Sequence, residues 1–77
     1  MGVIGKTKLA ILRALDKGTI HGYLLSKRIS ASQSSVYEHL AELEDAGLVE
    51  AKKVGRRVVY SLTKEGRLML EASRKLK

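Results

Sequence analysis

The sequence predicts an α+β fold, mostly helical, in which three helices, a β-hairpin and a closing helix form one domain. Three observations predict it. Apolar residues recur at helical spacing up to Gly47, the period falls to two from Leu48 to Leu62, and helical spacing returns after Thr63. Length sets the scale: 77 residues suit a single domain over 1–77, because so short a chain buries only about 60–65% of the surface its unfolded form exposes. A hydrophobic fraction of 44% beside 30% charged residues is enough to build a core and argues against disorder.

The first helix is predicted over Lys6–Lys17, where Ile11, Leu12, Ala14 and Leu15 cluster on one side at about 100° per residue and Gly18 ends the run. Thr19 and Ile20 form a short extended link. A second helix of about two turns follows over His21–Ile29, with Leu24, Leu25 and Ile29 at helical spacing. After the break Ser30-Ala31-Ser32, a third helix is predicted over Gln33–Ala46, with Val36, Leu40 and Leu43 inward and Gly47 as its stop. Ser32 is its expected cap. Ser30 is the rival, since Ser30 and Gln33 would make a capping box. Two alternating strands, Leu48–Lys53 and Arg57–Leu62, flank the turn Val54-Gly55-Arg56, with Val58, Tyr60 and Leu62 as the inward row of the second. Thr63 caps a last helix over 64–77, whose Glu65 at the start and Arg74, Lys75 and Lys77 at the end suit the helix dipole.

Helix, short helix, three-residue break, helix, hairpin, helix is the element order of a winged helix-turn-helix, in which the hairpin wing packs beside the third helix. The stretch Gln33-Ser34-Ser35-Val36-Tyr37-Glu38-His39-Leu40, followed by Ala46-Gly47-Leu48-Val49, resembles the recognition helix and first wing strand of the PadR, ArsR and MarR regulators. His21-Gly22-Tyr23-Leu24-Leu25-Ser26-Lys27-Arg28-Ile29 is most similar to PadR-type proteins, and Gly55-Arg56-Arg57-Val58-Val59-Tyr60-Ser61-Leu62-Thr63 continues the likeness through the wing. The resemblance implies a DNA-binding regulator. It departs from ArsR metal sensors in having no cysteine ligands, and PadR and MarR proteins usually carry longer dimerisation or ligand-binding segments.

Fifteen Lys and Arg against eight Asp and Glu leave a net charge of +7, which calls for a polyanionic partner or an acidic surface. A helix that enters the major groove needs small or hydrogen-bonding residues at its exposed start. Ser32, Gln33, Ser34 and Ser35 meet that need, although capping and turn chemistry alone would also account for Ser32. With Val36 inward, Ser34 and Glu38 point outward and Tyr37 lies on the flank, so Gln33, Ser34, Tyr37 and Glu38 are the base-edge candidates, while His39 is expected beside the core or on a phosphate. Tyr37 could equally roof the edge of the core. Glu38 would repel phosphate unless it accepts from a cytosine amino group or pairs with a base such as Arg28. From residue 38 to residue 50 the chain carries Glu38, Glu42, Glu44, Asp45 and Glu50 and no Lys or Arg, so that half should face away from phosphates. Lys52, Lys53, Arg56 and Arg57 load the wing for contact with the backbone or minor groove, and Lys27 and Arg28 would add backbone contacts.

In the last helix Leu68, Met69, Ala72 and Leu76 share one apolar face, whereas Leu70 lies about 200° from Leu68. That span is too wide for one contact. Leu9 likewise sits off the inward stripe of the first helix. A two-fold homodimer is therefore expected, with residues 63–77 as its dimerisation element and Leu9, Leu68, Met69, Leu70 and Leu76 at the interface. Enzyme readings fail on inventory, because His21 and His39 have neither cysteine nor a second cluster with which to build a triad or a closed metal site. No cofactor and no metal are expected. No apolar run approaches the roughly 20 residues of a bilayer span, so the expected setting is cytoplasmic, without a membrane partner. The expected function is a sequence-specific, double-stranded-DNA-binding transcriptional regulator, with the recognition helix 33–46 in the major groove and the wing 52–58 on the backbone or minor groove. Two readings compete: a winged-helix protein–protein interaction module, whose wing meets an acidic protein, and a chromatin-like protein that coats DNA with little regard to sequence.

Overall fold

The computed structural model describes residues 5–75, with elements in the order α1 (Lys6–Asp16), β1 (Ile20–His21), α2 (Gly22–Arg28), α3 (Gln33–Asp45), β2 (Val49–Val54), β3 (Arg57–Leu62) and α4 (Lys64–Lys75). The apolar stripes of the helices meet as predicted. Ile11, Leu12 and Leu15 of α1, Leu25 of α2 and Val36, Leu40 and Leu43 of α3 are buried together with Ile20, Val49 and Leu70. Leu24, Ile29, Leu48, Tyr60 and Leu62 close the margins of this core.

The ends of α3 are set by local chemistry. Ser32 is the cap: its hydroxyl oxygen accepts from the Ser35 N–H at 3.1 Å. At the other end Gly47 adopts φ 78°. Its N–H bonds to the Glu44 carbonyl at 3.0 Å and that of Leu48 to the Leu43 carbonyl at 2.9 Å, the paired closure of a Schellman end.

The sheet has three strands in the order β1-β3-β2, all antiparallel. The link expected at Thr19 and Ile20 thus becomes a strand at Ile20–His21, with Ile20 opposite Tyr60 and His21 opposite Val59. Two residues are too few to show a period in sequence. The wing turn is one residue tighter than predicted, because Val54 pairs with Arg57 and leaves only Gly55 and Arg56 as the loop. Gly55 has φ 63° and Arg56 does not share it, the pattern of a two-residue turn with glycine first. Tyr60 and Leu62 pack on the core, but Val58 does not: it is 39% exposed because the hairpin extends beyond the helices that cover its base.

The last helix corrects another expectation. Leu70 is not an interface residue but part of the chain's own core, 1% exposed, whereas Leu68 is 57% and Met69 39% exposed. The cause lies one turn earlier. Gly66 is buried so tightly that a Cβ on it would overlap the Leu48 carbonyl oxygen, and this close approach turns the Gly66–Leu70 side of α4 inward. Thr63 fixes the start of α4: its hydroxyl accepts from the Gly66 N–H at 3.0 Å and donates to the Gly47 carbonyl at 2.6 Å. Asp16 of α1 ties down the far end through Arg74 at 3.3 Å, with Arg67 at 3.8 Å. Leu9 is half-buried against the core margin, and Leu76 lies outside the described residues. Among the described residues no helix is long and apolar enough to cross a membrane.

Candidate nucleic-acid interface

Because Ser32 spends its side chain on the cap, Gln33 and Ser34 are left exposed at the start of α3, while Ser35 is half-buried. Glu38 is exposed one turn on, and among the described residues it makes no ion pair, with Arg28 or any other base. Tyr37 turns from the same helix toward α2. Its ring covers Gly22, where a Cβ would come within 2.6 Å of it, so glycine at the start of α2 is what allows the ring to lie there.

The wing carries its charges on two faces, because directly opposed residues of an antiparallel pair share a face. Lys53 opposes Val58 on the face that continues the core-facing row, whereas Lys52 shares the other face with Val59 and Arg57. Lys52, Lys53, Arg56 and Arg57 are all exposed. Beyond Val59 the outer edge of β3 has no strand beside it, since β1 ends at His21. There a groove of about 400 Å³ opens between wing and helices, lined by His21, Tyr23, Tyr37, Arg56, Arg57 and Tyr60, with Val58 and Gly22 completing it. Helix α3 and the arginine-tipped turn are thus two walls of one concavity.

His21 links the parts. Its Nδ1 accepts from the Leu24 N–H at 3.4 Å, capping α2, and its Nε2 lies 3.5 Å from an Arg57 nitrogen. A neutral imidazole has one acceptor nitrogen, so it can satisfy only one of these donors at a time. Lys27 places its ammonium 5.1 Å from the centre of the Tyr23 ring, steadying an aromatic at the groove margin. Burial raises the Tyr60 phenol above its ordinary value, helped by the charges of Tyr37 and Glu44.

Two further predicted site residues lie outside this groove. Arg28 lines a separate cleft with Arg13, Lys17 and Ser30. His39 faces α1, with the Lys8 ammonium 3.0 Å from its Nδ1. Lys8 also pairs with Glu42, and its hydrogen bond, then its charge, lower the Glu42 carboxyl below its ordinary range. No cluster of side chains able to hold a metal ion occurs among the described residues. Sequence reasoning missed His21, Tyr23, Val58 and Tyr60 as groove residues. The available signal was that the chain's three aromatic residues are all tyrosines, residues that seek an apolar contact and a polar exit together.

A sequence profile of the "Transcriptional regulator PadR-like family" matches residues 11–72. No curated protein sequence matches the chain. Among solved structures, a possible transcriptional regulator for arsenical resistance is 32% identical, with a TM-score of 0.76 over 90% of this chain and 72% of that one. The transcriptional regulator BldR from Sulfolobus solfataricus is 27% identical, with a TM-score of 0.85 over 95% of this chain and 55% of that one. The C80S mutant of MarR from E. coli, solved with operator DNA, is 23% identical and superimposes with a TM-score of 0.87 over 95% of this chain and 55% of that one, a likeness of fold. The chain therefore spans little more than half the length of the latter two.

Proposed function

The chain belongs to the PadR-like family of transcriptional regulators, and from that premise we propose that it binds double-stranded DNA sequence-specifically and regulates transcription by occupying promoter sites. The start of α3 enters the major groove, where Gln33, Ser34 and Tyr37 meet base edges. Lys52, Lys53, Arg56 and Arg57 hold the flanking backbone or minor groove, and Lys27 extends the backbone contacts. The protein works by binding, without catalysis, in the cytoplasm. One observation carries the reading: Tyr37, one turn after Gln33 and Ser34, lines the same groove as Arg56 and Arg57, so base-reading and phosphate-holding groups can grip one duplex together.

The outward face of α4, led by Leu68 and Met69, pairs two copies around a two-fold axis, so that the dimer reads two half-sites a whole number of helical turns apart. Selection of bound duplexes from a random pool at moderate salt tests the proposal. A symmetric consensus is expected. Recovery of unenriched duplexes would instead favour a coating protein, and absence of salt-sensitive duplex binding would favour a protein-interaction module.

A further inference from the structure

We propose that the groove between wing and α3 is also a nucleotide site, taking an unstacked nucleobase between its tyrosines and the attached phosphate on its arginines. Tyr23, Tyr37 and Tyr60 come from α2, α3 and β3, yet all three line this one concavity, and the chain has no Phe or Trp elsewhere. Arg56 and Arg57 stand beside them and no Asp or Glu lines the groove. Its volume of about 400 Å³ lies within the range of small-ligand sites.

Duplex binding engages the arginines but leaves the tyrosine ring faces unused. Bases inside a duplex present only their edges, so a ring face in the groove has no base to stack on. An unpaired base offers its π-face, and stacking of that kind tolerates any base. Tyr37 is held in place by its seat on Gly22. Tyr23 remains 51% exposed with Lys27 against its ring. Guanidinium groups match phosphate in planar, two-pronged contacts, so Arg56 and Arg57 supply the second half of the recognition. The same nucleotide chemistry reaches the site from a free mononucleotide or from an exposed single strand.

The test uses the full chain with ¹³C-labelled tyrosine, because every tyrosine lines the groove and the exposed Tyr23 and Tyr37 rings report on it. Thymidine monophosphate, a short oligothymidylate, thymidine and inorganic phosphate are titrated separately. Both phosphorylated thymidine probes are expected to move the Tyr23 and Tyr37 ring signals, thymidine to do so more weakly, and phosphate not at all. Movement by the mononucleotide identifies free nucleotide as a sufficient source; movement by the oligothymidylate alone identifies a strand. Tyr23→Leu and Arg56→Gln, both at exposed positions, should each weaken binding about ten-fold with an unchanged unfolding midpoint. Ring signals unmoved by both phosphorylated probes at millimolar concentration, or undiminished binding in Tyr23→Leu, would overturn the proposal. Duplex affinity is measured independently, so loss of one reading leaves the other standing.

Discussion

Ser34 and Arg56 are both exposed, but they do different physical work. A guanidinium on phosphate is indifferent to sequence, whereas a hydroxyl at a base edge is not. Replacing Arg56 and Arg57 together by alanine is therefore expected to weaken all duplexes about equally. Ser34→Ala should instead change which duplex is preferred, at a cost of about 1–3 kcal/mol for the lost contact. Affinities on the selected site and on a scrambled duplex separate the two, and matching profiles for both variants would refute the division of labour. Tyr60 gives a second residue-scale prediction. Its phenol is raised by burial first and then by Tyr37 and Glu44, so the fold favours the neutral form. The associated stability is complete below the ordinary value of 10.0 and is lost as pH rises from there through the folded value. Unfolding midpoints between neutral and strongly alkaline pH should fall more steeply in the parent than in Tyr60→Phe. Glu42 has the opposite sign: its lowered carboxyl contributes above the ordinary value of 4.5 and loses that contribution in more acid solution. Its exposure keeps the effect small.

At the scale of elements, α4 is positioned by a contact with no side chain in it. Gly66 meets the Leu48 carbonyl, a backbone atom fixed by the end of α3 and by the Thr63 N–H at 3.1 Å. Gly66→Ala cannot be relieved by a rotamer change and should cost about 3 kcal/mol or more, seen as a lowered denaturation midpoint. Gly22→Ala differs, because the obstacle there is the far end of the Tyr37 ring. It should leave stability nearly intact while altering duplex preference. The helices α1 to α3 were legible because each has one apolar stripe, a capping serine or a glycine stop. The hairpin was legible from its alternation and from Gly55. Helix α4 offered two apolar sides, Leu68 with Met69 and Leu70 alone, and spacing cannot say which one a backbone carbonyl will admit. Groove membership was hidden for a related reason. Lys27 and Arg28 look alike in sequence, but consecutive residues on a helix point about 100° apart, so one faces Tyr23 and the other the cleft beside α1.

At the scale of the whole molecule, the wing contributes four exposed cations to a chain of net charge +7, while Leu68 and Met69 remain in solvent on α4. A small basic domain with few phosphate contacts binds DNA weakly at physiological salt. On the proposed reading, two copies joined through α4 would double those contacts and tie them to two half-sites. If each copy contributes about four phosphate contacts, log K should fall with log salt at a slope near −7 for the dimer and about −3.6 for a single copy. Leu68→Asp with Met69→Asp places charge on the exposed face without touching the core, so the unfolding midpoint should change little. The sedimentation mass at micromolar concentration should fall from two chains to one and the salt slope should halve. Leu70→Asp is the contrasting control: it buries a carboxylate in the core and should unfold the chain. A parent protein that sediments as one chain, or a double variant that keeps the steep slope, would place the source of affinity within the single domain.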